Sequence, residues 1–282
     1  MSIAGSRSVA PQRVLFYVIL VFFLGVMLFP LYWMFVTSVK PNIEIYQVPP
    51  QIVPTRIYTG HYEAVLSTVH FARYLWNNFF VASMTTIIGL FSATLAGYAF
   101  SRYPSRIAVA ISFGLLSTQM FPVIGIVIAL YSLYLNLSIL NTHSGLIFAL
   151  VASVIPFATW MLKGFFDEMP RSIEESARVD GAGRLTILTR IALPLAKPGL
   201  FAAGIYSFML AWDDFLFALT LIRSDALRTL SVGISLRYLG EVAYDWGQVT
   251  TVSVFGTLPM FILFFIFQQY LVEGLTAGAV KG

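Results

Sequence analysis

Apolar residues run without a charge over 14–39, 74–101, 107–162 and 246–272, and the ionisable residues collect between these runs. A helix crosses a bilayer with about 20 apolar residues, so each run is long enough to span. The run 107–162 is too long for one crossing, and the polar cluster NTHSG at Asn141–Gly145 divides it into two helices. Pro198–Ile222 is apolar except for Asp213 and Asp214 and supplies a sixth. The pattern predicts helices at about 14–38, 76–100, 107–135, 144–166, 198–222 and 247–271. The fold class is therefore an all-α polytopic membrane protein, one transmembrane domain over 1–282 with six spanning helices. Arg7 and Arg13 precede the first run, but that run exceeds the roughly 7–15 residues of a signal-peptide core and no cleavage pattern follows, so a retained helix is expected.

Composition agrees with the pattern: 58% of residues are hydrophobic and 11% charged, where soluble domains carry about a quarter charged residues. Cysteine is absent, which excludes disulfides, thiolate metal sites and thiol nucleophiles. Charge also orients the chain, because Lys and Arg concentrate in cytoplasmic connections. With the amino terminus inside, eleven basic residues fall inside (Arg7, Arg13, Arg102, Arg106, Lys163, Arg171, Arg178, Arg184, Arg190, Lys197, Lys281) and six outside (Lys40, Arg56, Arg73, Arg223, Arg228, Arg237). Both termini and the 167–198 loop are thus expected in the cytoplasm. The external segment after the first helix, with Pro41, Pro49, Pro50 and Pro54, is expected to be an ordered surface connection.

The 167–198 loop carries its own start and stop signals. Ser172 and Glu175 have capping-box spacing, and Gly181 and Gly183 end the helix that follows. A second short helix is expected from Arg184, with Leu185, Leu188 and Ile191 on one face, stopping before Pro194. Helices this short are marginal alone. The pair reads either as a solvated loop or as a docking element for a cytoplasmic partner.

The stretch EESARVDGAGRLTILTRIALPLAKPGL resembles the EAA loop of binding-protein-dependent ABC importer permeases, with Glu174, Glu175, Ser176 and Ala177, then Asp180, Gly181 and Ala182, then Ile191, Leu193 and Pro194 at the motif positions. Ser176 stands where the motif has Ala, and Leu188 where it often has Phe. NNFFVAS, LAGYAFSRYP, LNTHSGLI, PFATWMLKGFF, WDDFLFAL and the terminal LVEGLTAGAVKG resemble, in order along the chain, the carbohydrate-importer branch of MalG-type permeases. The resemblance implies a type I ABC importer in the bacterial inner membrane. It implies a second, MalF-like permease, a MalK-like ATPase homodimer holding ATP and magnesium, and an extracytoplasmic solute-binding protein. It also implies a sugar or sugar-like substrate, with membrane lipid around the chain and no nucleic acid. Carried over, Glu174, Glu175, Ser176, Ala177 and Arg178 form the coupling helix that contacts the ATPase, Gly181 gives the sharp turn behind it, and Asp180, Gly181, Leu188 and Pro194 complete the ATPase-coupling set. No cofactor or metal is expected on this chain.

Asp213 and Asp214 are the carboxylates placed deep in a predicted span. A charge there costs about 3 kcal/mol on insertion scales, so it faces a polar path or a partner. Neighbours on a helix differ by about 100°, so at most one can face a central pathway. Trp212, Phe215, Gln119 and Asn77 are further pathway candidates. Asp213, Asp214 and the amides, Asn78 and Asn136 among them, serve equally as links between helices. His61, His70 and His143 lack metal-ligand spacing and are expected at the surface. The chain has no Gly-x-x-x-x-Gly-Lys-Ser/Thr phosphate loop, so energy must come from another subunit. Adjacent acids cannot form an acid dyad, and no His-Glu-x-x-His occurs, which argues against an intramembrane enzyme. A secondary transporter using Asp213 and Asp214 as ion or proton sites is the alternative, opposed by the lack of an internal repeat.

Overall fold

The computed structural model describes residues 11–238 and 245–279. Arg7 and Lys281 of the charge count, and the last residues of LVEGLTAGAVKG, lie outside the described residues. The helices in order are α1 (Pro11–Ser38), α2 (Asn42–Ile45), α3 (Gly60–Leu66), α4 (Val69–Arg102), α5 (Arg106–Ser117), α6 (Val123–Asn136) and α7 (His143–Glu168). They continue as α8 (Arg171–Val179), α9 (Arg184–Ile187), α10 (Leu193–Leu195), α11 (Lys197–Trp212), α12 (Leu216–Leu221), α13 (Leu230–Gly233) and α14 (Trp246–Ala279). No strand occurs among the described residues.

Among the described residues four of these helices are long and apolar enough to cross a membrane unbroken, and the number rises to as many as six if each of two bent pairs is one span. The expected helix at 107–135 is one such pair. α5 continues as a 3-10 turn through Met120 and then meets α6 at 98°. Pro122 has no N–H to extend the ladder, and its ring holds Phe121 extended at ψ 137°. The expected helix at 198–222 is also corrected. α11 ends at Trp212 and α12 begins only at Leu216, so the stretch is broken at residues 213–215.

The chain divides into two compact units, residues 1–67 with 238–255 and residues 68–237 with 256–282. In the first, α1 exposes its apolar side chains almost throughout and becomes buried only at Val36, Thr37 and Ser38. The following connection is ordered by its own polar contacts. Lys40 Nζ donates to the Gln51 carbonyl, Thr55 donates to the Glu44 carboxylate, and the Tyr58 N–H reaches Val39 O at 2.8 Å. The Thr55 hydrogen bond outweighs desolvation and holds Glu44 below the ordinary carboxylate range. His61, expected at the surface, is 4% exposed: Nε2 hydrogen-bonds Lys40 O at 2.9 Å and the ring rests where a Cβ on Gly247 would stand.

In the second unit α4, α7 and α11 pack together. Their seam is built from small residues, as expected where lipid removes the hydrophobic drive between helices and close packing must supply the attraction. Ala93, Ala158, Ala192, Ala196 and Ala203 share the core with Val154, Leu162 and Phe166. At Gly97 of α4 a Cβ would come within 3.0 Å of Lys163 N and 3.1 Å of Thr159 O, so the backbones of α4 and α7 nearly touch.

At the Tyr74 end of α4 the 222–229 segment is tied down by backbone-directed side chains. Asn77 Nδ2 donates to Ala226 O and Arg228 O, and the Asn141 side-chain oxygen accepts from the N–H groups of Arg223 and Ser224. Tyr74 donates to Asp225 at 2.6 Å, and Arg228 pairs with the same oxygen. The Tyr74 hydrogen bond, helped by Arg228 and His70, keeps the Asp225 carboxyl below its usual range although burial acts the other way.

Candidate functional site

The loop between α7 and α11 is a short helix, a glycine turn and a bent helical segment. α8 starts after Pro170, whose ψ of 124° sets the entry. The capping box expected at Ser172 and Glu175 does not form, because the helix begins one residue before Ser172 and no side chain caps it. Its end matches the sequence signal. Ala182 N–H donates to Ala177 O at 2.9 Å and Gly181 N–H to Arg178 O at 3.0 Å, the paired bonds of a Schellman close. Gly181 sits at φ 86° with nothing within 4 Å of a would-be Cβ. The constraint there is the left-handed backbone itself, which only glycine adopts at no steric cost.

After the turn, α9 passes into a π-helical turn over Leu188–Ala192 and then α10, so the chain stays helical through Pro194. The expectation of a stop before Pro194 fails for a geometric reason. Leu193 N–H bonds back to Leu188 O, and this widened turn makes room for a proline ring that would otherwise strike the carbonyl four residues back. The wider turn also rotates the buried face. Ile187, Leu188 and Ala192 point inward while Leu185 is 72% exposed, in place of the expected stripe of Leu185, Leu188 and Ile191.

Within α8 only Glu174 is buried. Its Oε1 lies 2.6 Å from Arg102 Nε, and its Oε2 accepts from the Tyr98 hydroxyl at 3.0 Å. Arg102 Nη1 also donates to Phe166 O at 2.7 Å, and Arg171 Nη2 to Ser101 O at 3.2 Å. Glu174 and Leu188, assigned to the partner-contact set, therefore turn toward their own chain. Glu175, Ser176, Arg178, Asp180, Gly181 and Pro194 are exposed and Ala177 is half-buried. Arg102 and Tyr98 were not anticipated. The motif LAGYAFSRYP placed a base at the end of α4, but nothing in its spacing named a partner.

Asp213 and Asp214 lie in the break between α11 and α12 rather than within a helix. Asp213 N–H closes the last turn onto Met209 O. Asp214 accepts from the N–H groups of Phe217 at 3.3 Å and Ala218 at 2.9 Å, which satisfies orphan donors at the start of α12. Asp214→Ala is expected to cost about 0.5–2 kcal/mol, seen as a lower unfolding temperature in detergent. Trp212 is 5% exposed, stacks on Phe208 at 5.5 Å and donates through Nε1 to Gly256 O at 3.1 Å. Gln119 donates to Ser153 O, and Asn78 to Trp212 O. Asp213 and Phe215 remain exposed.

Residues 85–276, which include the whole α8 loop and the Asp213–Asp214 break, match the family of binding-protein-dependent transport system inner membrane components. The chain belongs to that family. It is 36% identical to the sulfoquinovosyl glycerol transport system permease protein SmoH of Agrobacterium fabrum, over 90% of this chain and 89% of that one. It is 37% identical to the trehalose/maltose transport system permease protein MalG of Thermococcus litoralis, over 90% and 92%. The inner membrane ABC transporter permease protein YcjP of Escherichia coli is 34% identical over 96% and 97%. In fold the chain resembles a bacterial ABC transporter involved in the import of the acidic polysaccharide alginate, with TM-score 0.81, 22% identity and coverage of 94% and 98%. The chain is thus a permease component, a transport subunit of the inner membrane.

Proposed function

We propose that this chain forms the pathway of an ATP-driven importer together with a second, MalF-like permease. A MalK-like ATPase dimer, which carries the ATP and magnesium, docks on α8, and an extracytoplasmic solute-binding protein delivers the solute. Both termini and α8 face the cytoplasm, as the eleven-to-six division of basic residues supports. The solute is a sugar or sugar-like molecule, a reading supported by relatives named for trehalose, maltose and sulfoquinovosyl glycerol. Asp213 and Phe215 are the pathway groups this chain offers, since Trp212, Asp214, Gln119 and Asn77 already bond within it.

One observation carries the docking assignment. α8 is nine residues long and exposes eight of them wholly or in part, while the ninth, Glu174, anchors it. A helix so short is unstable alone, and its exposed acid and base suit charge-assisted contacts with a protein. Glu175→Arg is expected to reduce recovery of the ATPase with the purified permeases by about tenfold or more, since a like-charge contact costs several kcal/mol. Uptake should fall with it. Normal ATPase recovery and normal uptake in this variant would remove α8 as the docking site.

A further inference from the structure

Glu174 is tied to a residue far away in sequence, and the connection has a mechanical consequence. α8 is bounded by Pro170 and by the Gly181 turn, two points where the chain direction changes. Between them Glu174 is the single buried side chain, 3% exposed, and both of its oxygens are engaged. Arg102 and Tyr98 sit one turn apart on α4, so a single carboxylate grips two successive turns of that helix. The guanidinium is fixed in turn by Ser101 Oγ and Phe166 O, and Tyr98 packs edge-on against Phe166 at 5.3 Å. The contact therefore joins α8 to the end of α4 and to the end of α7.

An apolar seat would hold a short helix but would let it roll and slide. A carboxylate held by a guanidinium and a hydroxyl has one geometry, because each oxygen has its own directed donor. Burying an ion pair is seldom the cheapest way to gain stability, and its attested use is to specify one arrangement.

We propose that Glu174, Arg102 and Tyr98 are positioning residues forming a latch that makes α8 rigid with α4, so that displacement of α8 moves α4 instead of flexing the loop. The proposal rests on the docking assignment of α8, and its test is confined to complexes that still hold the ATPase. Glu174→Ala opens the latch fully, and Glu174→Gln and Tyr98→Phe open it in part while conserving shape. The chain has no cysteine, so spin labels at Ser172→Cys, exposed in the first turn of α8 and outside the contact set, and Leu95→Cys report the α8–α4 distance in the reconstituted complex.

The expected result has two parts. The distance distribution is narrow with Glu174 present, with and without ATP, and broad in Glu174→Ala. Solute transported per ATP hydrolysed falls by at least about fivefold, the low end of coupling between sites, with smaller losses in the two milder variants. Bridging Tyr98→Cys to Glu174→Cys with a short thiol crosslinker restores the ratio. A narrow distribution in Glu174→Ala, an unchanged ratio, or a loss the crosslink does not restore overturns the latch. Loss of the ATPase from all three variants also overturns it, because Glu174 would then belong to the docking contact itself. Failure of the docking assignment is read separately, from Glu175→Arg.

Discussion

Arg102→Ala is expected to destabilise the permease by about 3–5 kcal/mol, the range for breaking one side of a buried ion pair. The magnitude follows from what remains. The Arg102 and Glu174 side chains are 4% and 5% exposed, so removal of the guanidinium leaves a carboxylate with neither water nor cation. The Phe166 carbonyl loses its Arg102 donor as well. Removing Glu174 together with Arg102 deletes the orphaned charge, so the double variant should be more stable than Arg102→Ala alone. Thermal unfolding of the four proteins of this cycle in detergent checks both statements. Equal destabilisation in the single and double variants would mean that Arg102 acts through packing alone.

Gly97→Leu should be the most damaging substitution in the seam of the long helices. A Cβ at this position already stands 3.0–3.2 Å from Lys163 N, Thr159 O and Leu162 Cβ. Two of those atoms are backbone, which cannot rotate aside, so α4 and α7 must separate. Overpacking of this kind costs about 1–3 kcal/mol, and a leucine forced against backbone belongs at the upper end. Association of membrane helices depends on close approach of small residues, so lost contact along the seam adds to the strain. Gly97→Ala should lie between the wild type and Gly97→Leu. A scan of unfolding temperature in detergent orders the three, and an unaltered Gly97→Leu protein would show that the seam is not tightly packed.

The two substitutions bear on different levels of the structure, and so did the sequence. Apolar runs without charge gave helices close to their observed limits where nothing interrupts them. The expected 144–166 became His143–Glu168, and the expected 14–38 became Pro11–Ser38. They failed where a break costs little hydropathy. Phe121–Pro122 and Asp213–Asp214 lie within apolar stretches, so a window of mean hydropathy passes over them. The proline signal at Pro122 could have been read as a break, because it constrains its neighbour wherever it occurs. Asp213 and Asp214 carry a cap signal of the same local kind. Pro194 misled in the opposite direction, since a π turn accommodates it and such turns have no sequence signature as plain as a proline.

In the α8 loop, the sequence by itself determined what depends on single residues and near neighbours: that a short helix forms, that Gly181 closes it in a left-handed turn, and that its surface is charged. The tertiary structure alone decided which of two adjacent acids is available to a partner. Glu174 and Glu175 differ by one position and about 100° around the helix, and nothing local distinguishes them. The choice was made by Arg102, 72 residues away, whose place at the end of α4 follows from the close packing of that helix on α7. Sequence patterns report the forces that act within a few turns, whereas the direction in which a helix presents its faces is set by whatever distant part of the chain it packs against.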